Sequence, residues 1–177
     1  PYFNHEDHSD TLAPLRELAP DLESLASICE LTIEMGRFFA SECGTYLTRV
    51  VDTKTNCGTS YAIVDGGIHH VNYLGGNMGM RVPIIRQSSV REGEMQPWAL
   101  CGSLCTTADV LVRKAEFAGL EQGDLLAFQN IGAYSVTEGP ALFLSRAMPR
   151  IVLHGAEGDR LARDTVQSWA LNCEGER

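Results

Sequence analysis

The chain has 177 residues, 44% of them hydrophobic, which is enough for a sizeable core and excludes a disordered polymer. Its formal charge of −9 argues against nucleic acid or an anionic membrane surface as the main partner, because both require clustered Lys and Arg. No apolar run approaches the ~20 residues needed to cross a bilayer, and residues 1–8 lack the basic start and apolar stretch of a secretory signal. With no initiator Met, the chain is expected to be a piece of something longer.

Residues 10–30 read as helix: Leu12, Leu15, Leu18, Leu22, Leu25 and Ile28 recur at spacings of three and four, which places them on one face. Pro20 is expected to divide this stretch, with Asp21 near the second start. Residues 31–37 read as a short apolar strand running into Gly36 and Arg37. After Phe38 the texture changes. Residues 45–52 are β-branched and partly alternating, and residues 55–59 form a turn. Residues 60–65 are a second strand stopped by Gly66-Gly67, so the two strands predict a hairpin. Residues 81–86 predict a third strand, at an edge because of Pro83.

Residues 97–102 read as a strand entering a loop, with an apolar segment over 109–117. Gln122-Gly123-Asp124 is a tight turn before the strand 125–129, and residues 149–153 form a late strand. The tail 164–171 is amphipathic and predicts a final helix. Many short strands with glycine turns point to a β-barrel or sandwich, with a boundary near residue 38.

The six cysteines, at 29, 43, 57, 101, 105 and 173, are too sparse and irregular for a disulfide framework. Reduced, mostly buried thiols are expected. Cys101-x-x-x-Cys105 has no second pair nearby to complete a zinc site. His69 and His70 are adjacent, so on a strand they face opposite sides and could not easily share a metal; a core or rim role is expected for both. No Gly-x-Ser-x-Gly elbow and no P-loop are present. Taken singly, Glu34, Gly36 and Arg37 read as a solvated carboxylate, a turn glycine and a surface cation.

The ordered set is more specific. Glu34-Met35-Gly36-Arg37 is followed by Val64-Asp65-Gly66-Gly67, then by Cys101-Gly102-Ser103-Leu104-Cys105-Thr106-Thr107-Ala108-Asp109, Gln122-Gly123-Asp124-Leu125-Leu126 and Ile131-Gly132-Ala133-Tyr134. In order and spacing these blocks resemble the C-terminal half of the fold-type III pyridoxal-phosphate decarboxylases, the diaminopimelate and ornithine decarboxylase group. The resemblance implies a mainly β fold: a Greek-key-like β-barrel or sandwich over residues 38–177. Ahead of it, residues 1–37 would be an α/β remnant, the truncated end of the cofactor-binding TIM barrel. It implies pyridoxal 5'-phosphate as cofactor, a small amino-acid substrate, a homodimer with shared active sites and a cytoplasmic enzyme. A piece without the barrel's cofactor lysine is expected to be inactive alone.

By the same resemblance, Glu34 pairs with the pyridine nitrogen, while Gly36, Arg37 and Tyr134 bind the phosphate. Cys105 is lent to the partner subunit's site, where it can return a proton to the α-carbon after decarboxylation. Departures narrow the substrate. Diaminopimelate decarboxylases carry Glu after the cysteine and ornithine decarboxylases carry Asp, each facing the distal amine; Thr106 is neutral and cannot form that ion pair. Tyr73 falls near the diaminopimelate enzymes' arginine for the distal carboxylate, and Phe143-Leu144-Ser145-Arg146 replaces their Asn-Tyr-Asn type sequence. Cys-Thr with Phe-Leu-Ser looks more like relatives from siderophore, antibiotic and exopolysaccharide clusters, which act on modified or carrier-linked amino acids. A non-catalytic homologue that acts by binding, and an amino-acid racemase, are the competing readings.

Overall fold

The computed structural model describes residues 9–72 and 82–173. It contains two helices, α1 (Ala13–Ala26) and α2 (Gly36–Ala40). Eight strands follow: β1 (Thr45–Asn56), β2 (Thr59–Val64), β3 (Ile85–Gln87), β4 (Gln96–Cys101), β5 (Val110–Phe117), β6 (Leu125–Gln129), β7 (Ile151–Gly155) and β8 (Gly158–Arg163). Six strands form one curled, half-barrel sheet in the order β3-β6-β1-β2-β4-β5, and β7 and β8 form a separate ribbon. The mainly β architecture expected from the sequence is therefore present.

The central strand explains the sheet. Tyr46, Thr48 and Val50 of β1 are buried while Thr45, Leu47 and Arg49 are exposed, the period of two of a strand with one face on a core. The other face of that core comes from β4, β5 and β6, with Leu100, Leu111, Leu126 and Phe128 fully buried. β1 pairs antiparallel with both β2 and β6, and β2 pairs parallel with β4. The parallel pair requires a long crossover, which residues 65–95 supply. These directions bring the start of β1 and the ends of β2, β4 and β6 to one end of the sheet.

The β1–β2 hairpin, β4, and the turn before β6 form as read from sequence; Gly123 has the positive φ of +99° that such a turn requires. Other elements differ. Pro20 does not divide the first helix: α1 runs through it unbroken. A proline removes one backbone donor, but the ladder that starts beside Pro14 continues on both sides of the gap. No residue of α1 is buried. Residues 31–35 are irregular rather than a strand, and Gly36 instead opens a short helix. A strand needs a neighbour for its backbone groups, and none of the described strands lies against this segment.

The third strand occupies Ile85–Gln87 at the sheet edge, and Pro83 makes only an isolated bridge. Arg81 and Tyr73 lie outside the described residues. The late strand forms as β7, but its partner β8 had no clear sequence signal: Gly158-Asp159-Arg160-Leu161-Ala162-Arg163 is exposed on both faces as far as Ala162, and only Arg163 is half-buried. The final helix shrinks to a 3-10 turn, Ser168–Asn172.

Candidate functional site

Two constellations emerge at the same end of the sheet. The first joins the segment before β1 to the one after β6. Arg37 of α2 donates from Nη1 to the Ala133 carbonyl at 3.2 Å and from Nη2 to Glu138 Oε1 at 3.1 Å. Its guanidinium carbon lies 5.0 Å from the centroid of the Tyr134 ring, a stacking that suits its planar cation. Tyr134 is exposed and holds a φ of +62°, an uncommon state for an aromatic residue. Gly36 completes this corner, since a Cβ there would lie 2.5 Å from the Tyr134 hydroxyl. Gly36, Arg37 and Tyr134, far apart in sequence, are thus brought together around an open corner. Glu34 stands just ahead of them on the irregular segment, exposed to solvent.

The second constellation is the loop between β4 and β5, which carries Cys105 and Thr106. Cys105 is exposed and Thr106 is half-buried. The Thr106 hydroxyl accepts from the Ala108 N–H at 3.2 Å, and its own N–H donates to the Leu104 carbonyl at 2.8 Å. The loop is closed at its base by Gly102 N–H to the Asp109 carbonyl at 3.0 Å. Ser103 ties it to the end of β2, donating through its N–H to the Gly66 carbonyl and through its hydroxyl to the Asp65 carbonyl. Arg146 donates to the Ser103 hydroxyl from the far side at 2.9 Å.

Between the two lies a turn built from Gly66 to His70. His69 and His70 sit in this turn, not on a strand, and their rings lie 4.0 Å apart instead of facing opposite sides. The reading that they diverge is corrected by the turn, since the alternation of side chains holds only in extended backbone. His69 is buried and His70 half-buried, as expected for core or rim residues. His70 Nε2 must donate to the Ala147 carbonyl, 3.0 Å away, so its Nδ1 accepts from the Tyr46 hydroxyl at 3.0 Å. Both partners are kept neutral: burial holds His70 below the ordinary imidazole value and pushes Tyr46 up to about 12. Gly66 makes room for the pair, because a Cβ there would collide with the Tyr46 hydroxyl. Burial, with His70 beside it, brings His69 down to about 4, and its Nδ1 has no partner among the described residues.

The cysteines differ from expectation. Five of the six are exposed, and only Cys101 is half-buried, on β4. The exposed five lie in turns, bends and a short 3-10 helix, outside the apolar core where a thiol would be enclosed. Burial, and then the Asp109 carboxylate, push the Cys101 thiol up.

Sequence reasoning assigned no role to Glu138, Asp109 or Ser103. Glu138 stands only four residues after Tyr134, and its bond to Arg37 spans 101 residues of chain, so spacing carried no signal for it. Asp109 closes the cysteine block, so its position in the sequence was visible and its contacts with Gly102, Leu104 and Ile68 were not.

Residues 25–132 match the family described as "Pyridoxal-dependent decarboxylase, C-terminal sheet domain". The chain is 30% identical over 164 residues to the L-glutamyl-[BtrI acyl-carrier protein] decarboxylase of Niallia circulans, covering 86% of this chain and 38% of that protein. It is 29% identical over 164 residues to the diaminopimelate decarboxylase of Deinococcus radiodurans, covering 89% of this chain and 42% of that protein. The fold matches the crystal structure of diaminopimelate decarboxylase from M. jannaschii in complex with L-lysine, with a TM-score of 0.80 at 22% identity, over 100% of this chain and 41% of that one. The chain thus spans 38% and 42% of the length of these two relatives. The sheet, its order of blocks and the matched span identify the chain as a member of the pyridoxal-dependent decarboxylase family, whose C-terminal sheet domain it contains.

Proposed function

We propose that this chain is the C-terminal part of a pyridoxal-phosphate-dependent amino-acid decarboxylase of diaminopimelate decarboxylase type, and that it completes active sites shared between two copies in a cytoplasmic homodimer. Residues 1–37 end the cofactor-binding barrel in this reading, and residues 38–177 are the β domain. The observation that carries it is the convergence of Gly36, Arg37 and Tyr134 in one open corner, at the same end of the sheet as the exposed Cys105.

The residues present fit the cofactor's phosphate. The corner between Gly36 and the Tyr134 hydroxyl is one that a Cβ would fill, and a guanidinium borders it. A backbone without a side chain, a hydroxyl and a cation together suit a phosphate group. When bound, pyridoxal phosphate supplies the electron sink that lets carbon dioxide leave the substrate's α-carbon. Glu34 would keep the pyridine nitrogen protonated through its negative charge. Arg37 and Tyr134 would hold the phosphate, with Glu138 fixing the guanidinium that does so. Cys105, at the partner's site, would deliver a proton from Sγ to the α-carbon.

Thr106 bears on the substrate. Its hydroxyl accepts from the Ala108 N–H and carries no charge, so a distal ammonium would find no counter-ion there. We therefore place the substrate among modified amino acids rather than free diaminopimelate or ornithine. The relative from Niallia circulans is named for a glutamyl group on an acyl-carrier protein, which is a substrate of that kind. A lysine-biosynthesis role, which the diaminopimelate enzymes would suggest, is the second choice.

The competing non-catalytic reading has no need for Glu34, Arg37, Cys105 and Tyr134 together, and the cysteine block favours decarboxylase over racemase. The whole protein, purified with pyridoxal phosphate, should show protein-bound cofactor absorbance and release carbon dioxide from an amino-acid panel that includes carrier-linked members. Bound cofactor with racemisation and no carbon dioxide would support the racemase. No cofactor absorbance would leave only the binding protein.

A further inference from the structure

Asp109 is a buried charge outside the cofactor corner. It is 3% exposed and forms no ion pair among the described residues. An unpaired carboxylate out of water is costly unless hydrogen bonds replace its hydration. Here they come from the backbone. Oδ1 accepts from the Ile68 N–H at 2.8 Å, and Oδ2 accepts from the Leu104 N–H at 2.8 Å. Each oxygen faces a different donor, so only an acceptor at both ends satisfies the site. An amide side chain would set an NH2 against one of the two N–H groups.

The surroundings are shaped to the same end. A Cβ on Gly67 would lie 2.5 Å from Oδ2, and one on Gly102 would intrude on both oxygens. Leu104 is the residue before Cys105, and Ile68 belongs to the turn that leads toward the phosphate corner. From that turn, contacts continue outward. Gly139 packs against the Ile68 carbonyl, and Asn72, just past the turn, donates its N–H to the Ser135 carbonyl at 2.7 Å. Glu138, next to Gly139, holds Arg37.

We propose that Asp109 is the positioning residue for Cys105: its two-ended carboxylate fixes the loop so that the thiol stands at a set distance from the Gly66–His70 turn and, through it, from the Arg37–Tyr134 corner. In a protein whose sites are shared between two copies, this would set where each copy delivers its proton relative to where it holds its own cofactor. The role assigned to Cys105 rests on the decarboxylase reading; the loop geometry does not.

The test is Asp109→Asn in the whole protein, with three readouts. Alkylation of Cys105 by iodoacetamide, followed by mass spectrometry, should change by about threefold or more relative to Cys57 in the same molecule, because only one of the two loops loses its anchor. In the holoenzyme kcat should fall about tenfold or more, with affinity for pyridoxal phosphate nearly unchanged, as expected of a displaced reacting group. A merely structural role would move both constants, or neither. In the unaltered protein the Ile68 and Leu104 amides should resist hydrogen exchange far longer than the Thr107 amide, a measurement that stands even where the variant fails to fold. The proposal is overturned by a folded variant with unchanged Cys105 labelling, or by Ile68 and Leu104 amides that exchange as fast as that of Thr107. Labelling and exchange need neither cofactor nor turnover, so they decide the role of Asp109 even where the wild-type protein releases no carbon dioxide.

Discussion

Replacing Gly36 by Ala separates the phosphate corner from the stability of the fold. The new methyl group would sit 2.5 Å from the Tyr134 hydroxyl, well inside van der Waals contact. Tyr134 is exposed and the clash is with the tip of its side chain, so the ring swings away rather than the backbone giving. Gly36 opens α2 without a positive φ, and alanine is the better helix residue by about 0.5–1 kcal/mol. The displaced ring costs a similar amount in lost stacking on Arg37. Folding stability should therefore stay within about 1 kcal/mol of wild type, within the range of small surface changes. Cofactor affinity should not. A hydrogen bond to a charged group contributes about 1.5–3 kcal/mol, so losing the Tyr134 hydroxyl from a phosphate weakens binding by about 10- to 100-fold. Titration of the apo-holoenzyme pair by absorbance, beside urea unfolding of both proteins, reads the two quantities separately. Unchanged cofactor affinity in a folded Gly36→Ala protein would refute the assignment of this corner.

Further outcomes follow from single groups. Burial raises Asp124, but bonds from Arg91 and the Glu121 N–H outweigh it and hold the carboxyl below the usual range. Its folded value lies below its unfolded one, so the stabilisation is complete above the ordinary Asp value of about 3.9 and is lost as pH falls through the folded value. Asp124→Asn should flatten that acid limb, measured as urea midpoints against pH. His69 is depressed to about 4, so its contribution is full above the ordinary value of 6.5 and is lost as pH falls toward 4, by up to about 3 kcal/mol. His69→Gln should remove this loss; an unaltered pH profile would contradict the burial argument. Cys105→Ala in the holoenzyme should lower kcat or spoil the fidelity of protonation, read by product analysis in deuterated water. Unchanged kinetics and product would remove its proposed role.

Local signals carried the fold where a strand's two faces met different surroundings. The alternation around Tyr46, Thr48 and Val50 and the turn at Gly123 were legible because each follows from chemistry within a few residues. Pro20 misled because a helix survives the loss of one donor, and residues 31–35 misled because an apolar run states only that it wants cover, not that a strand lies beside it. The strand β8 was missed because both of its faces are exposed up to Ala162, so no periodicity marks it. For the candidate site, the resemblance named Gly36, Arg37, Tyr134 and Cys105, and the fold brought the first three within contact of one another. Glu138's bond to Arg37 and the bond from the Ile68 N–H to Asp109 pair residues 101 and 41 apart in the chain, which no spacing rule encodes.

The central claim is that two copies of the protein share each site, one holding the phosphate with Arg37 and the other supplying Cys105. Mixing the Arg37→Ala and Cys105→Ala proteins, after exchange of subunits, tests it directly. Each variant alone should form little of the correctly protonated amine product, which is the activity measured. Random pairing puts half of the chains in mixed dimers, each with one site free of both changes, so activity should return to about a quarter of wild type. A mixture no more active than its components would contradict the shared site.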